Sequence, residues 1–356
     1  MQILLLDGGL GTTLECPPFN VSFSTETLLW SSHSLISSPS TLQSVHRAFY
    51  DAGADILLTA TYQASIEGFT KTNTGYTTED AKKYMRSAIP LVRSAAIGEN
   101  HHASRRVALS LGPYGATMTP VAAEYTGLYP AGVDREDALR EWHARRLDVF
   151  VDGPESLDQV DYIAFETLRR TDEVRAVRGA MLDALEDTQR KPWWVCGVFP
   201  SEKVDEVDIR RWIKAAVGQE TETPLPRPWG IGLNCTRIDH VPEIVSIMRD
   251  ELQCLLGQVN GFADEWHAHS GKPWLVLYPD GTKGEKYDPA SKTWVARPAT
   301  VQRPWHESLW EVIQEQSDGD WEGIVVGGCC RAGPADIAAL RRRIDGTSSL
   351  PDHPHS

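Results

Sequence analysis

Cys329 and Cys330 stand side by side directly after Gly327-Gly328, at the end of the apolar run Gly323-Ile324-Val325-Val326. Neighbouring side chains on a β-strand point to opposite faces, so adjacent thiols converge only where a strand stops and turns. The paired glycines supply such a turn and let the backbone crowd against something bound there. Converging thiols point to a soft metal; the plainer alternative is one cysteine packed inward and one incidental. Cys235, in Asn234-Cys235-Thr236, offers a third sulfur 94 residues before Cys329. That separation excludes a compact zinc-finger loop, and ligands drawn from separate elements suit an active-site metal better than a local folding clip. Three protein ligands leave one position open at a tetrahedral Zn2+. Zinc held by three thiolates is a poor activator of water, yet it can keep a substrate thiol deprotonated. Such a thiolate is a soft nucleophile, suited to attack on an electrophilic carbon such as a methyl group.

Two carboxylates fall at comparable places. Asp7 follows the apolar run Ile3 to Leu6 and opens Asp7-Gly8-Gly9-Leu10-Gly11-Thr12-Thr13, while Glu166 follows Val160 to Phe165. Both can hold a cation, such as the ammonium of an amino acid, by charge-assisted hydrogen bonds. Turn residue and strand-end ion pair are the competing roles. The glycine-rich turn lacks the G-x-G-x-x-G spacing of a dinucleotide site. Gly8, Thr59, Gln63 and Asn234 join Asp7 and Glu166 as candidate substrate contacts. Tyr62, Tyr114, Tyr125, Tyr129 and Tyr278 are candidates for a pocket that holds a positively charged methyl donor by cation–π contact. Hydrophobic cover over the site is the alternative for these rings. Cys16, Cys196 and Cys254 read as ordinary buried or incidental residues.

The elements that must position these groups alternate regularly. Apolar strand segments fall at 3–6, 54–59, 106–111, 160–165, 193–199, 229–233, 274–277 and 323–326. Amphipathic helices fall at 40–52, 79–97, 135–151, 172–187, 208–217, 240–255, 304–316 and 334–343. Eight strand–helix units with no dividing linker predict a single (β/α)8 TIM-type barrel over residues 1–345, with a doubly wound sheet as the competing arrangement. Residues 219–228 and 261–272 read as surface insertions, and 346–356 as a disordered tail. A barrel gathers its active-site groups at the C-terminal ends of its strands. Asp7, Gln63, Glu166, Asn234, Cys235, Tyr278, Cys329 and Cys330 all fall at such ends.

Composition narrows the partners. The 356 residues carry a net charge of −14, which disfavours nucleic-acid backbones and anionic membranes. No stretch approaches the ~20 apolar residues of a membrane span, and Met1 to Asp7 lacks the basic leader of a signal peptide. Six cysteines in a chain of this length do not make a disulfide scaffold. A cytoplasmic enzyme acting on small molecules is expected, with its oligomeric state left open.

The motifs that carry these residues resemble those of the zinc-dependent homocysteine S-methyltransferases, from end to end. LLLDGGLGTTLE is similar to the family's opening element, and GADILLTATYQAS to its second-strand signature. LGPYGA with EYTGLY, FETL, GLNC and GGCCR are similar to later strand-end motifs. The resemblance implies a (β/α)8 barrel in which Cys235, Cys329 and Cys330 bind zinc and zinc binds the sulfur of homocysteine. It implies that Asp7 and Glu166 contact the amino-acid part, with methionine as product. GPYGA with EYTGLY resembles the branch that takes its methyl group from S-methylmethionine or S-adenosylmethionine. Two departures stand out: Tyr278-Pro279-Asp280-Gly281 replaces a Tyr-Pro-Asn-Ser pattern, and Arg331-Ala332-Gly333-Pro334 replaces Arg-Thr-Thr-Pro. The first touches donor-side contacts. A betaine-dependent enzyme, a methyltransferase for selenocysteine or another thiol, and a non-catalytic zinc or thiol-sensing protein are the alternatives.

Overall fold

In a computed structural model of the chain, eight parallel strands form one sheet: β1 (Gln2–Leu5), β2 (Ile56–Leu58), β3 (Arg106–Leu111), β4 (Tyr162–Leu168), β5 (Trp193–Gly197), β6 (Gly230–Asn234), β7 (Trp274–Tyr278) and β8 (Gly323–Val326). The structure describes all residues except 25–26, 98–104, 119–122, 152–156, 185–187, 189, 220–223, 258–270, 283–284, 289–292, 297–302, 317–318 and 347–356. Hydrogen-bonded neighbours run β1-β8-β7-β6-β5-β4-β3-β2. A parallel bridge between Leu6 and Ile56 joins the two ends of that order, and the Asp7 amide donates to the Ile56 carbonyl at 3.1 Å. The sheet therefore closes on itself as a barrel. Eight helices alternate with the strands: α1 (Pro39–Asp51), α2 (Thr78–Ala95), α3 (Glu136–Val151), α4 (Thr171–Asp183), α5 (Glu206–Val217), α6 (Val241–Gly257), α7 (Trp305–Gln314) and α8 (Pro334–Ile344).

The strands are apolar on both faces because both faces are covered. Inward-pointing Leu4, Leu6, Ile56, Ala164, Trp194, Val276 and Val325 fill the barrel, while Leu5, Leu57, Val107, Ile163, Val195 and Ile324 meet the helices outside. Gly232 fits only as glycine: a methyl group there would run into the Val276 carbonyl oxygen. Thr77 and Asp80 start α2 with a reciprocal capping box, and Asp205 caps α5 by accepting from the Asp208 amide.

Short elements escaped the sequence reading. Helices at Leu10–Glu15, Ser34–Ser37 and Ile66–Thr72, and a hairpin of Glu285–Asp288 with Thr293–Ala296, sit in the connections. The Ile66–Thr72 helix holds Gly68, Thr70 and Thr72, poor helix formers, and begins only because Ser65 accepts from the Gly68 amide. Of the expected surface insertion at 219–228, residues 220–223 lie outside the described residues, and the described part from 224 to 228 needs correction. Leu225 and Arg227 are buried, and the buried Arg178 of α4 donates to the Leu225 carbonyl at 2.9 Å and the Pro226 carbonyl at 3.1 Å. A guanidinium that reaches out for carbonyls turns a Pro-rich polar stretch into packed structure. Most of the 261–272 stretch and the expected tail lie outside the described residues.

Candidate active site

The sulfur cluster is built from two strand ends. After β6 the chain turns at Cys235, whose φ of 46° lies in the left-handed region that side chains rarely adopt. Asn234 steadies that turn. Its amide nitrogen lies 3.2 Å from the Cys235 sulfur and 2.7 Å from Thr167 Oγ1, and its Oδ1 accepts from the Thr167 amide at 2.7 Å. Thr167, one residue before the end of β4, is itself left-handed at φ 60°. After β8, the Gly328 amide donates to the Asp7 carbonyl and the Cys329 amide to the Pro279 carbonyl. A methyl group on Gly327 would strike the Asp7 carbonyl, and one on Gly328 would strike Ala332. The two glycines are thus required by close backbone approach, which delivers both thiols to one point.

One ligand atom each from Cys235, Asp280, Cys329 and Cys330 lies within 4.8 Å of the others. The Cys235 and Cys329 sulfurs lie in contact, with their Cα atoms 5.5 Å apart, and Cys330 stands beside them. Asp280, noted in the sequence for its departure beside the donor side, stands with the sulfurs instead. Its reach follows from the Asp280 amide donating to the Thr236 carbonyl, just past Cys235.

A cavity of about 630 Å³ opens over this cluster. Gly8, Thr59, Tyr62, Gln63, Tyr125, Glu166, Asn234, Tyr278 and all three cysteines line it, as the strand-end argument anticipates. Asp7 is buried behind Gly8 and is not itself a wall residue; its Oδ2 accepts from the Leu58 amide at 2.9 Å. Glu166 Oε2 accepts from the Ser110 hydroxyl at 2.6 Å. Asp7 Oδ1 and Glu166 Oε1 are buried with no hydrogen-bond partner among the described residues. Burial pushes the Glu166 carboxyl up to about 7, against the pull of hydrogen bonds from Ser110 and Tyr278. Burial raises Asp7 well above the usual carboxylate range, and the nearby Glu166 adds to it.

Several expected contacts take other roles. Tyr114 and Tyr129 are absent from the cavity wall. Tyr129 donates its hydroxyl to Glu173 at 2.6 Å, the Tyr114 amide donates to the same carboxylate at 2.7 Å, and the two rings pack edge to face. Loop aromatics of this kind look alike in sequence, but the buried acid on α4 turns these two backwards. Asn234 touches the cavity, yet its side chain is spent on Thr167 and Cys235. The Thr59 hydroxyl is likewise engaged, accepting from the Ser110 amide and lying 2.6 Å from Thr61 Oγ1. Residues that the sequence reading missed complete the wall: Glu15, Phe23, Leu28, Trp30, Met118 and Glu124. Glu124 stood inside a motif already singled out for its tyrosines, so a charge buried among aromatics was the available signal. The stretch from Phe23 to Trp30 had none, since its place depends on the short Leu10–Glu15 helix.

Comparison with known proteins came to the same place. Residues 4–344 match the homocysteine S-methyltransferase family. The homocysteine S-methyltransferase of Escherichia coli is 29% identical over 348 residues, covering 96% of this chain and 95% of that protein. Homocysteine S-methyltransferase YbgG of Bacillus subtilis is 26% identical over 355 residues, covering 95% and 93%. The crystal structure of the homocysteine methyltransferase MmuM from Escherichia coli in its metallated form superposes with a TM-score of 0.65 at 26% identity, covering 96% of each chain. Among the described residues, no helix is long and apolar enough to cross a membrane.

Proposed function

We propose, from the premise that this chain belongs to the homocysteine S-methyltransferase family, that Cys235, Cys329 and Cys330 hold zinc and that the methyl donor is a sulfonium. The observation that carries the metal reading is the convergence of three sulfurs from two strand ends within 4.8 Å, a donor set that suits zinc. Bound there, zinc supplies one thing, a substrate thiol kept deprotonated at neutral pH. The chain's own residues do the rest. Asp7 and Glu166 hold the ammonium of homocysteine through their bare oxygens and so orient its sulfur. Tyr62, Tyr125, Tyr278, Phe23 and Trp30 wall off water and offer ring faces to a cation. The homocysteine thiolate attacks the methyl carbon in line with the donor's methyl–sulfur bond. As the new carbon–sulfur bond forms, the old one breaks, and its electron pair stays on the donor sulfur. Both products are neutral thioethers; with S-methylmethionine as donor both are methionine. Because opposite charges cancel along this path, a dry site favours it.

The test is a zinc-replete assay of homocysteine against S-methylmethionine, S-adenosylmethionine and betaine in parallel. Methionine should form with a sulfonium, and turnover with betaine alone overturns the donor assignment. Cys235→Ala, Cys329→Ala and Cys330→Ala should each lose both zinc and methyl transfer. Full activity in any of the three overturns the metal assignment.

A further inference from the structure

The cavity is lined by Glu15, Glu124 and Glu166 and, among the described residues, by no lysine, arginine or histidine. Homocysteine brings one ammonium, and Asp7 with Glu166 already provides for it. Glu124 is therefore an acid beyond what the acceptor needs. It is only 8% exposed, its Oε2 is buried without a hydrogen-bond partner among the described residues, and it lines the cavity together with Tyr125. The placement is enforced by the backbone. The Ala123 amide donates to the Gly115 carbonyl at 2.9 Å and the Gly127 amide to the Ala123 carbonyl at 2.7 Å, which pins the turn that carries Glu124. A methyl group on Gly115 would meet the Glu124 amide nitrogen, so that strand-end glycine exists to let the turn sit close. A carboxylate held bare in such a site is costly unless a cation joins it.

We infer that Glu124 is the donor-binding carboxylate that makes this enzyme select a positively charged methyl donor over its neutral demethylated product. This rests on the reading of the donor as a sulfonium. Because the positive charge on sulfur disappears during methyl transfer, Glu124 stabilises the bound donor more than the transition state, and the product, whose sulfur is neutral, least. Its removal therefore raises donor KM and weakens discrimination between donor and product, while kcat holds or rises. Burial holds the Glu124 carboxyl up at about 7, and an adjoining cation favours its ionised form.

The test compares wild type with the isosteric Glu124→Gln, both zinc-loaded. Donor KM with S-methylmethionine should rise about tenfold or more, while kcat holds or rises and homocysteine KM stays within about twofold. The preference for S-methylmethionine over its neutral product methionine, read as the ratio of KM to the product-inhibition constant, should shrink by the same factor. Glu124→Asp, which keeps the charge but draws it back, should fall between the two. An unchanged donor KM in Glu124→Gln overturns the assignment, as does a rise confined to homocysteine KM. Should Glu124→Gln fail to fold, a wild-type donor KM in Glu124→Asp together with a wild-type preference ratio overturns it. A wild-type enzyme that uses betaine and no sulfonium would defeat the donor reading alone, and the betaine KM of Glu124→Gln would then decide the role of Glu124.

Discussion

Asp7 and Glu166 each commit one oxygen to the protein and leave the other bare, and that division explains their chemistry. The Leu58 amide and the Ser110 hydroxyl fix where each carboxylate points. The remaining oxygens are buried at a cost that a proton or a bound cation relieves. For Glu166 the consequence can be read in stability. Its folded-state value of about 7 lies above the 4.5 of an ordinary glutamate, chiefly through burial. The native state thus keeps a proton that the unfolded chain releases between those two values. Burial costs nothing below the lower one, and the penalty is complete above the upper one. Substrate-free wild type should lose stability relative to Glu166→Gln as pH rises through that window, by roughly 3 kcal/mol at pH ~8. Urea denaturation of both proteins at pH ~4.5 and ~8 measures it; a difference that does not change with pH would show that Glu166 ionises in the fold as it does in water.

Among the elements, the connections after β3 and β4 decide what faces the cavity. Glu173, fully buried in α4, accepts from the Tyr129 hydroxyl and the Tyr114 amide and lies 3.1 Å from His143 Nε2 of α3. This hub ties the long loop after β3 onto two helices, and the loop's other side presents Glu124 and Tyr125 inward. Tyr129→Phe removes one donor from a buried carboxylate. It should lower the unfolding free energy by about 1.5–3 kcal/mol in chemical denaturation, with donor KM within about twofold of wild type. A large rise in donor KM without loss of stability would return Tyr129 to the pocket. Thr167 and Cys235 show the same dependence at smaller range, since their left-handed backbones, braced by Asn234, set where the Cys235 sulfur points.

For the whole molecule, the barrel's closure makes chemistry from distance. β6 and β8 flank β7, so segments far apart in sequence bring their sulfurs to one point. A metal held there ties those segments together in the native state and finds no such site in the unfolded chain. Zinc present at 100 to 1,000 times its Kd should therefore stabilise the reduced protein by about 2.7–4.1 kcal/mol. Chelation should lower Tm, and zinc should restore it; a Tm indifferent to zinc in the reduced protein would count against a three-sulfur site.

The eight strand–helix units were legible in the sequence because each strand is a short apolar run ended by glycine or polar residues, and each helix repeats its apolar side every three or four residues. The gathering of Asp7, Glu166 and the cysteines was legible too, since a parallel barrel sends every strand end to one face. Tertiary structure alone decided which of those residues looks into the cavity. A side chain's direction at a turn hangs on one backbone angle, as at Cys235, and on partners far along the chain, as Glu173 is for Tyr129. Likewise, Asp7 holds one oxygen to Leu58 and leaves one bare because β1 and β2 meet across the closed barrel, a contact that no pattern within either segment records.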